Sequence, residues 1–200
     1  KNALYSHEPS IEVKTPHGPL KYMPSIWRSV GLSFATKKDD ISLFHGLSHE
    51  LPFFMSQKTK KIVTIHDLIP WRYPEHFSVI DRQAYKLKLI HSVGVADRII
   101  ATSEQTKKDL LTFLKVDEEK ITVCYQCCHP RFYENTSSDE YKILRKYDIE
   151  PGYALFVGAL EMRKNILQLL RALSASKSNP RLVLVGQGKI SYVRLIEKEI

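Results

Sequence analysis

The sequence lacks an apolar run long enough to cross a membrane. Its longest such run extends from Tyr153 to Leu160, whereas a membrane-spanning helix needs about 20 apolar residues. The first residues, Lys1 to His7, contain neither an initiator methionine nor the apolar core of a signal peptide. We therefore expect a protein that does not cross a bilayer, and a first residue that is internal to a longer protein.

Cysteine is also scarce, and the cysteines lie close together at Cys124, Cys127 and Cys128. Because they have no distant partner, they exclude a disulfide framework and fit a reducing compartment. With His129 they resemble half of a zinc site, but a second thiolate pair is missing, and strand geometry would point Cys124 and Cys127 to opposite sides. We therefore expect no metal at this cluster.

The charge is unbalanced but has no obvious focus. Thirty basic and 22 acidic residues give a net charge of +8, which favours an anionic partner. No basic arm or RNA-binding aromatic motif stands out, so we do not expect nucleic acid as the partner. Six cations form either a contact for an anionic membrane surface or simply a solvated surface. They are Lys58, Lys60, Lys61, Arg82, Lys86 and Lys88.

Strand-like segments alternate with helical patterns along the chain, which is typical of α/β proteins with parallel sheets. A helical pattern covers Ile80 to Val95, and Ser103 is a predicted N-cap for a helix that runs through Leu114. The six predicted strands are Ile41 to Phe44, Lys61 to Ile65, Arg98 to Ala101, Ile121 to Tyr125, Tyr153 to Val157 and Arg181 to Val185.

Two domains are predicted, 1–135 and 136–200. The stretch from Cys128 to Glu140 is rich in turn-forming residues and lacks periodicity, so we place a linker there. The second domain has only two strands, too few to cover a sheet on both faces. We expect its end to lie beyond Ile200. The first domain opens on the turn-rich stretch Pro16 to Pro24, so its first strand–helix unit is also expected to be missing.

One candidate site handles phosphate. The continuous apolar strand that ends at Val157 belongs inside a parallel sheet, and ligands of such sheets bind beyond the carboxyl ends of the strands. Gly158 allows a sharp turn there. Arg163 and Lys164 are predicted in the first turn of the following helix, where the N–H groups and the helix dipole favour an anion. Cations at this end oppose the dipole, so a phosphate would compensate them. The alternative is a solvated pair on a helix face.

A second candidate is His66, at the carboxyl end of the strand from Lys61 to Ile65. The alternative is a histidine that hydrogen-bonds backbone groups. His45 and His49 have a spacing known from metal sites but lie across Gly46, so we do not expect them to be ligands. Gly186 and Gly188 form an incomplete dinucleotide-binding pattern, which a turn from strand to helix explains equally well.

Several motifs agree, in order, with one family. The first domain contains Leu43 to Gly46, Leu51-Pro52, Val63 to Pro70, Tyr73 to Glu75, Ala96 to Ser103 and Thr106 to Leu110, and the second contains Phe156 to Gly158, Arg163 to Asn165 and Leu182 to Gly186. As an ordered set they resemble the family 4 retaining glycosyltransferases. The resemblance implies the GT-B fold, in which both domains are Rossmann-like and contain parallel sheets.

The resemblance also implies an activity. The intact protein would transfer a hexose, mannose or glucose, from a UDP- or GDP-sugar to a glycan or lipid-linked acceptor with retained configuration. The first domain would face the acceptor and the second would bind the nucleotide sugar. Such a transferase of polysaccharide or lipopolysaccharide biosynthesis would work in the cytoplasm, either free or peripherally at the inner face of the cell membrane.

Site residues follow from the same resemblance. Gly158, Arg163 and Lys164 would hold the donor diphosphate. His66 would contact the donor sugar or align the acceptor, and Asp67 would orient the loop or His66. No cofactor and no metal are implied, and the sequence has no Asp-x-Asp cluster suited to a metal-bound diphosphate.

The chain departs from the family pattern in three places. Ala159 stands where an arginine is common, the glycine-rich loop of the first unit is absent, and the acidic pair of the second domain would lie beyond Ile200. This chain alone should therefore be a poor catalyst. The alternatives are a nonenzymatic subunit that binds nucleotides or glycans, and a nucleotide-sugar epimerase.

Overall fold

The computed structural model describes residues 12–133, 139–177 and 180–200. The chain divides into two compact units, Lys1–Gln126 and Cys127–Ile200. The predicted linker is described up to Tyr133 and again from Asp139, where a helix begins. Its middle, 134–138, and with it the predicted boundary between 135 and 136, lie outside the described residues.

The first unit contains a four-stranded parallel sheet in the order β1-β2-β3-β4. Its strands are β1 (Leu43–Gly46), β2 (Lys60–Ile65), β3 (Arg98–Ala101) and β4 (Ile121–Val123). All four correspond to predicted strands. The first begins two residues later than predicted, because the Ile41 N–H donates to the Thr36 carbonyl and so still belongs to the end of the preceding helix.

The core of this unit lies around the two central strands. Val63 and Ile65 of β2 and Ile99 and Ala101 of β3 are buried, and they alternate with less buried residues in each strand. Helices flank the sheet. They are α1 (Pro24–Ile26), a π-helical turn (Trp27–Gly31), α2 (Leu32–Lys38), α3 (Ile69–Arg72), α4 (Val79–Val95) and α5 (Glu104–Leu114), with short 3₁₀ turns at Gly18–Tyr22, Pro74–His76 and Glu118–Lys120.

Serine side chains begin the two longest of these helices. Ser78 precedes α4 and accepts a hydrogen bond from the Asp81 N–H. Ser103 precedes α5 and accepts one from the Thr106 N–H. Each hydrogen bond is 3.1 Å long. Such caps satisfy N–H groups that have no partner within the helix. The predicted N-cap at Ser103 is confirmed.

An ion pair between a half-exposed arginine and a buried aspartate connects α3 to α5. Arg72 donates from Nε to Oδ2 of Asp109 over 2.8 Å, and Gln105 donates to Oδ1 over 2.8 Å. The Asp109 side chain is only 6% exposed. Burial alone would raise the pKa of Asp109, but the hydrogen bonds from Arg72 and Gln105 and the charge of Arg72 outweigh it and hold this pKa below its usual value.

The second unit contains a two-stranded parallel sheet of β5 (Ala154–Val157) and β6 (Leu182–Val185). The helices are α6 (Asp139–Lys146), α7 (Ile166–Ser174) and α8 (Ile190–Glu199), with 3₁₀ turns at Pro130–Phe132 and Met162–Lys164. Ile166, Tyr192 and Ile196 form a small core with one face of the sheet. Leu155 and Val157 are more than half exposed. One face of this sheet is therefore uncovered. This agrees with the prediction that the short second domain cannot cover its sheet on both faces.

Replacing Asp109 by alanine should lower the free energy of unfolding of the first unit by about 1.5–3 kcal/mol, because Arg72 and Gln105 lose a charged acceptor. Both tryptophans, Trp27 and Trp71, lie in this unit. Urea denaturation followed by tryptophan fluorescence therefore measures the unit in question.

The matched control is Glu118→Ala, which removes an ion pair to Lys107 in which Glu118 is 65% exposed. Such pairs contribute little, so its loss should be much smaller. Since the pKa of Asp109 is lowered on folding, its stabilisation is present above about pH 4 and is lost as the pH falls further, where Asp109→Ala and the parent should converge. Equal losses for the two variants at neutral pH would contradict this account.

Candidate functional site

His66 lies directly after β2, at the carboxyl edge of the first sheet. Its Nε2 donates to the Leu47 carbonyl over 2.9 Å. Its own carbonyl accepts from the Thr102 and Thr106 hydroxyls over 3.0 and 2.8 Å. The hydrogen bond to the Leu47 carbonyl agrees with the alternative interpretation, in which His66 hydrogen-bonds backbone groups. It also places the hydrogen on Nε2, so the neutral ring presents Nδ1 as a hydrogen-bond acceptor.

Asp67 shapes the loop that follows. Its Oδ1 accepts from the Ile69 N–H over 3.2 Å, at the start of α3, and its carbonyl accepts from the Tyr85 hydroxyl over 3.1 Å. These contacts orient the loop, as the sequence suggested for this residue. A part in catalysis stays a prediction for both His66 and Asp67.

A cavity of about 620 Å³ opens in the first unit at the carboxyl end of β1. Its wall includes Arg28, His45, His49, Glu50, Tyr85 and Lys88. The Lys88 ammonium donates to Glu50 over 2.9 Å, and the Ser29 hydroxyl donates to the same carboxylate. Glu50 and Lys88 therefore compensate each other, and Arg28, on the exposed part of the wall, is the remaining charged side chain of the lining.

Sequence reasoning missed most of this cavity. It considered His45 and His49 only as metal ligands, and within the described residues no group of three or more histidine, cysteine or acidic side chains could hold a metal ion. His45 instead hydrogen-bonds the Thr64 hydroxyl over 2.8 Å. The nearest signal in the sequence was the pair of histidines that follows the first predicted strand, Ile41 to Phe44. Tyr85 sits within a regular helical pattern and gave none.

The predicted phosphate loop connects β5 to α7 in the second unit. Gly158 has φ +154° and donates its N–H to the Val185 carbonyl over 2.9 Å, so the sharp turn needs glycine. Arg163 and Lys164 lie in a separate 3₁₀ turn, and the prediction that they belong to the first turn of the helix is wrong. The reason is Asn165, whose left-handed backbone (φ +53°) interrupts the helical path before α7 begins at Ile166.

The two cations of this loop differ in their contacts. The Arg163 Nε donates to the Glu161 carboxylate over 2.7 Å, whereas Lys164 is exposed. A diphosphate bound here would have to share Arg163 with Glu161 or displace it. Lys164 is thus directly available to an anionic ligand, whereas Arg163 becomes available only when the ligand replaces the Glu161 carboxylate.

Gly186 and Gly188 explain how this loop is held. A Cβ atom at Gly186 would collide with the Gly158 carbonyl, and one at Gly188 would collide with the Leu160 carbonyl. Leu160 donates its N–H to the Gln187 carbonyl over 2.8 Å and forms a bridge to Gly188. The two glycines therefore serve the close approach of two backbone segments.

The chain resembles known proteins in sequence. The family model of Glycosyltransferase Family 4 matches residues 4–130. This chain belongs to glycosyltransferase family 4. O-antigen chain mannosyltransferase B of Escherichia coli is 27% identical over 132 residues, 65% of this chain and 34% of that protein. O-antigen chain mannosyltransferase RfbU of Salmonella typhimurium is 25% identical over 181 residues, 90% of this chain and 45% of that protein.

Solved structures agree on the fold. HepE of Anabaena in complex with UDP has a TM-score of 0.61 and 18% identity, covering 94% of this chain and 51% of HepE. A glycosyltransferase from Rickettsia africae has a TM-score of 0.58 and 18% identity, covering 95% of this chain and 50% of that structure. The predicted α/β class of GT-B type, with parallel sheets in both units, is confirmed.

The chain spans between a third and a half of the length of these curated relatives. Where the structure describes the chain, none of its helices has the length and apolar character that crossing a bilayer requires.

Gly186→Ala should open the β5–β6 edge and displace the loop that carries Arg163. We expect faster amide hydrogen exchange at Gly158 and Leu160, whose N–H groups bond to the β6 side, and a lower melting temperature. Gly94→Ala is the control, because Gly94 lies in α4 with open space around its Cα; it should be neutral or stabilise by about 0.5–1 kcal/mol. Unchanged exchange at both amides in Gly186→Ala would exclude this packing role.

Proposed function

We propose that the intact protein is a retaining hexosyltransferase that moves mannose or glucose from a UDP- or GDP-sugar to a glycan or lipid-linked acceptor. Family membership supports sugar transfer, and the two O-antigen mannosyltransferases support mannose and a surface-polysaccharide acceptor. The structure of HepE with UDP-glucose keeps glucose and UDP as the alternative. The observation that carries the proposal is the polar loop at the carboxyl edge of each parallel sheet.

The Arg163 loop would stabilise the leaving nucleotide. As the bond to the sugar breaks, negative charge grows on the β-phosphate, and cations or N–H groups placed there lower the barrier. Lys164 supplies a compact charge, and Arg163 can grip two oxygens at once after leaving Glu161. Gly158 keeps the backbone close to the ligand. With cations in this role, the transfer requires no metal ion.

His66 would act on sugar hydroxyls. Its Nε2 is held by the Leu47 carbonyl, so Nδ1 can accept a hydrogen bond from the donor sugar or from the acceptor. Asp67 supports this loop through Ile69. In this assignment neither side chain forms a covalent bond to the sugar.

The same proposal places the enzyme in the cytoplasm, at the inner face of the cell membrane. Nucleotide sugars and a lipid-linked acceptor would meet there, and the first unit exposes apolar side chains beside cations. In α4, Ile80 and Leu87 are 81% and 65% exposed, and Lys86 directly precedes Leu87. Such a surface suits weak contact with anionic lipid.

A nonenzymatic binding subunit is the alternative that Ala159 suggests, but the family match and the two mannosyltransferase relatives do not favour it. The loop lacks one cation of the family pattern and neutralises part of another with Glu161. Product detection with the intact protein separates the two functions, because a binding subunit would bind nucleotide sugar without consuming it.

Arg163→Ala and Lys164→Ala should each reduce kcat/KM of the intact enzyme about 10- to 150-fold, the loss of one charge-assisted hydrogen bond of roughly 1.5–3 kcal/mol. The loss should appear in kcat as well as in KM, because the phosphate becomes more negative in the transition state. Arg163→Lys should recover part of the activity. Glu161→Gln should bind nucleotide at least as tightly as the parent, since it releases Arg163.

Lys198→Ala, at an exposed site on α8, is the control and should keep parental kinetics. Thermal melts verify folding, and a chelator should leave the rate unchanged. Parental kcat/KM in the three Arg163 and Lys164 variants would show that these cations are only a solvated turn.

His66→Asn and His66→Gln separate the two ring nitrogens. Asparagine places a polar atom near the position of Nδ1, whereas glutamine reaches the position of Nε2 and can still donate to Leu47. If Nδ1 serves the sugar, His66→Asn should keep more transfer activity than His66→Gln, and His66→Ala should lose most of it with nucleotide affinity unchanged. The reverse order, or a large drop in melting temperature for His66→Gln, would reduce His66 to a structural residue.

A further inference from the structure

His49 is held in an unusual conformation in the wall of the first-unit cavity. Its backbone is left-handed, with φ +59°, which is uncommon for residues other than glycine. Its N–H donates to the Thr64 carbonyl of β2 over 2.9 Å. Such conformations cost energy and persist only where the surrounding structure holds them in place, and they are frequent at functional sites.

The Tyr85 hydroxyl determines which nitrogen of His49 carries the hydrogen. The hydroxyl has one proton, which it donates to the Asp67 carbonyl over 3.1 Å. The same oxygen lies 3.1 Å from Nδ1 of His49 and therefore accepts a hydrogen bond from it. The remaining nitrogen, Nε2, is then unprotonated and can only accept.

The environment keeps both side chains neutral. Burial lowers the pKa of His49. The nearby Asp67 carboxylate raises this pKa and the neighbouring His66 lowers it, but burial has the largest effect. Burial is also the main cause that raises the pKa of Tyr85, so its hydroxyl retains the proton that it donates. The His49 and His66 rings meet edge to face, with centroids 5.1 Å apart.

Two other polar groups of the cavity, Glu50 and His45, have protein partners. Glu50 accepts from Lys88 and Ser29, and His45 bonds Thr64. For Nε2 of His49 the described residues contain no partner. An acceptor atom without a partner, on a neutral ring in the cavity wall, is suited to a hydroxyl group.

We propose that His49 binds the acceptor: its Nε2 accepts a hydrogen bond from a hydroxyl of a neutral sugar in the 620 Å³ cavity. Tyr85 is the positioning residue, since it fixes the ring and its tautomer. The inference rests on the proposed transferase function for its kinetic consequence, and it adds the residue and the chemical group that recognise the acceptor.

The tautomer can be tested without turnover, by long-range proton–nitrogen NMR of the intact protein labelled at its histidine nitrogens. The signal that disappears in His49→Asn identifies His49, and asparagine suits because it tolerates the left-handed backbone. We expect hydrogen on Nδ1 and none on Nε2. Tyr85→Phe should abolish this preference, whereas Tyr22→Phe, at an 80% exposed site, should keep it. Hydrogen on Nε2 in the parent protein would overturn the proposal.

Binding is tested in the same sample with methyl α-mannoside and methyl α-glucoside as probes. At least one should shift the Nε2 signal of His49 with saturation, and Tyr85→Phe should weaken that binding. Saturable shifts elsewhere in the protein with none at His49, or no saturable shift with either probe, would overturn the proposal.

Kinetics separate this inference from the proposed function. With a mannoside acceptor, His49→Asn and Tyr85→Phe should raise the acceptor KM about 2- to 10-fold, the loss of one neutral hydrogen bond. The donor KM should stay at the parental value in His49→Asn, which leaves the hydrogen bond from Tyr85 to the Asp67 carbonyl in place. Absence of transfer by the parent protein would contradict the transferase function while the NMR result still decides the role of His49. Transfer with an unchanged acceptor KM would overturn the role of His49 alone.

Discussion

The parallel pairing of β2 with β1 and β3 is the constraint on which the first unit depends. Its register sets Gly46 beside Val63 and Ile65 beside Ala101. The segments after all three strands therefore leave the sheet at one edge. Thr102 follows β3 and donates to the His66 carbonyl, while Leu47 follows β1 and accepts from the His66 ring. A polar loop between buried strands thus finds its hydrogen-bond partners in the neighbouring loops, and the apolar core positions them.

The six strands and the Ser103 cap could be predicted from the sequence, because they depend on local apolar runs and on one side chain reaching its own helix. The left-handed backbone of Asn165 could not, since it depends on how a turn fits between β5 and α7. The Glu161–Arg163 pair and the Tyr85–His49 contact also escaped prediction. Charge counting does not show which cation is already paired, and a tyrosine on a regular helix carries no sign of its distant partner.

The loop after β5 contains cations that attract an anion and a carboxylate, Glu161, that competes with this anion for Arg163. Ala159 removes a cation of the family pattern, and Glu161 occupies Arg163 in the absence of a ligand. In the proposed function, a diphosphate would carry more charge than the Glu161 carboxylate and would take its place on Arg163. Because an exposed ion pair contributes little stability, this exchange costs the folded protein little. Gly158, Gly186 and Gly188 allow the close backbone contacts that hold the loop in place.

The two units therefore present different chemistry. In the first, His49, His66 and Tyr85 form a cluster whose hydrogen bonds assign a direction to each donor and acceptor, and Glu50 and Lys88 compensate each other's charge in the cavity wall. In the second, the loop offers cations. Neutral directional groups discriminate hydroxyl positions, because a mismatched hydroxyl leaves a buried polar atom without a partner. Cations respond to growing charge whatever the sugar. Acceptor selectivity would then reside in the hydrogen-bond directions of the first unit, and rate acceleration in the charge of the second.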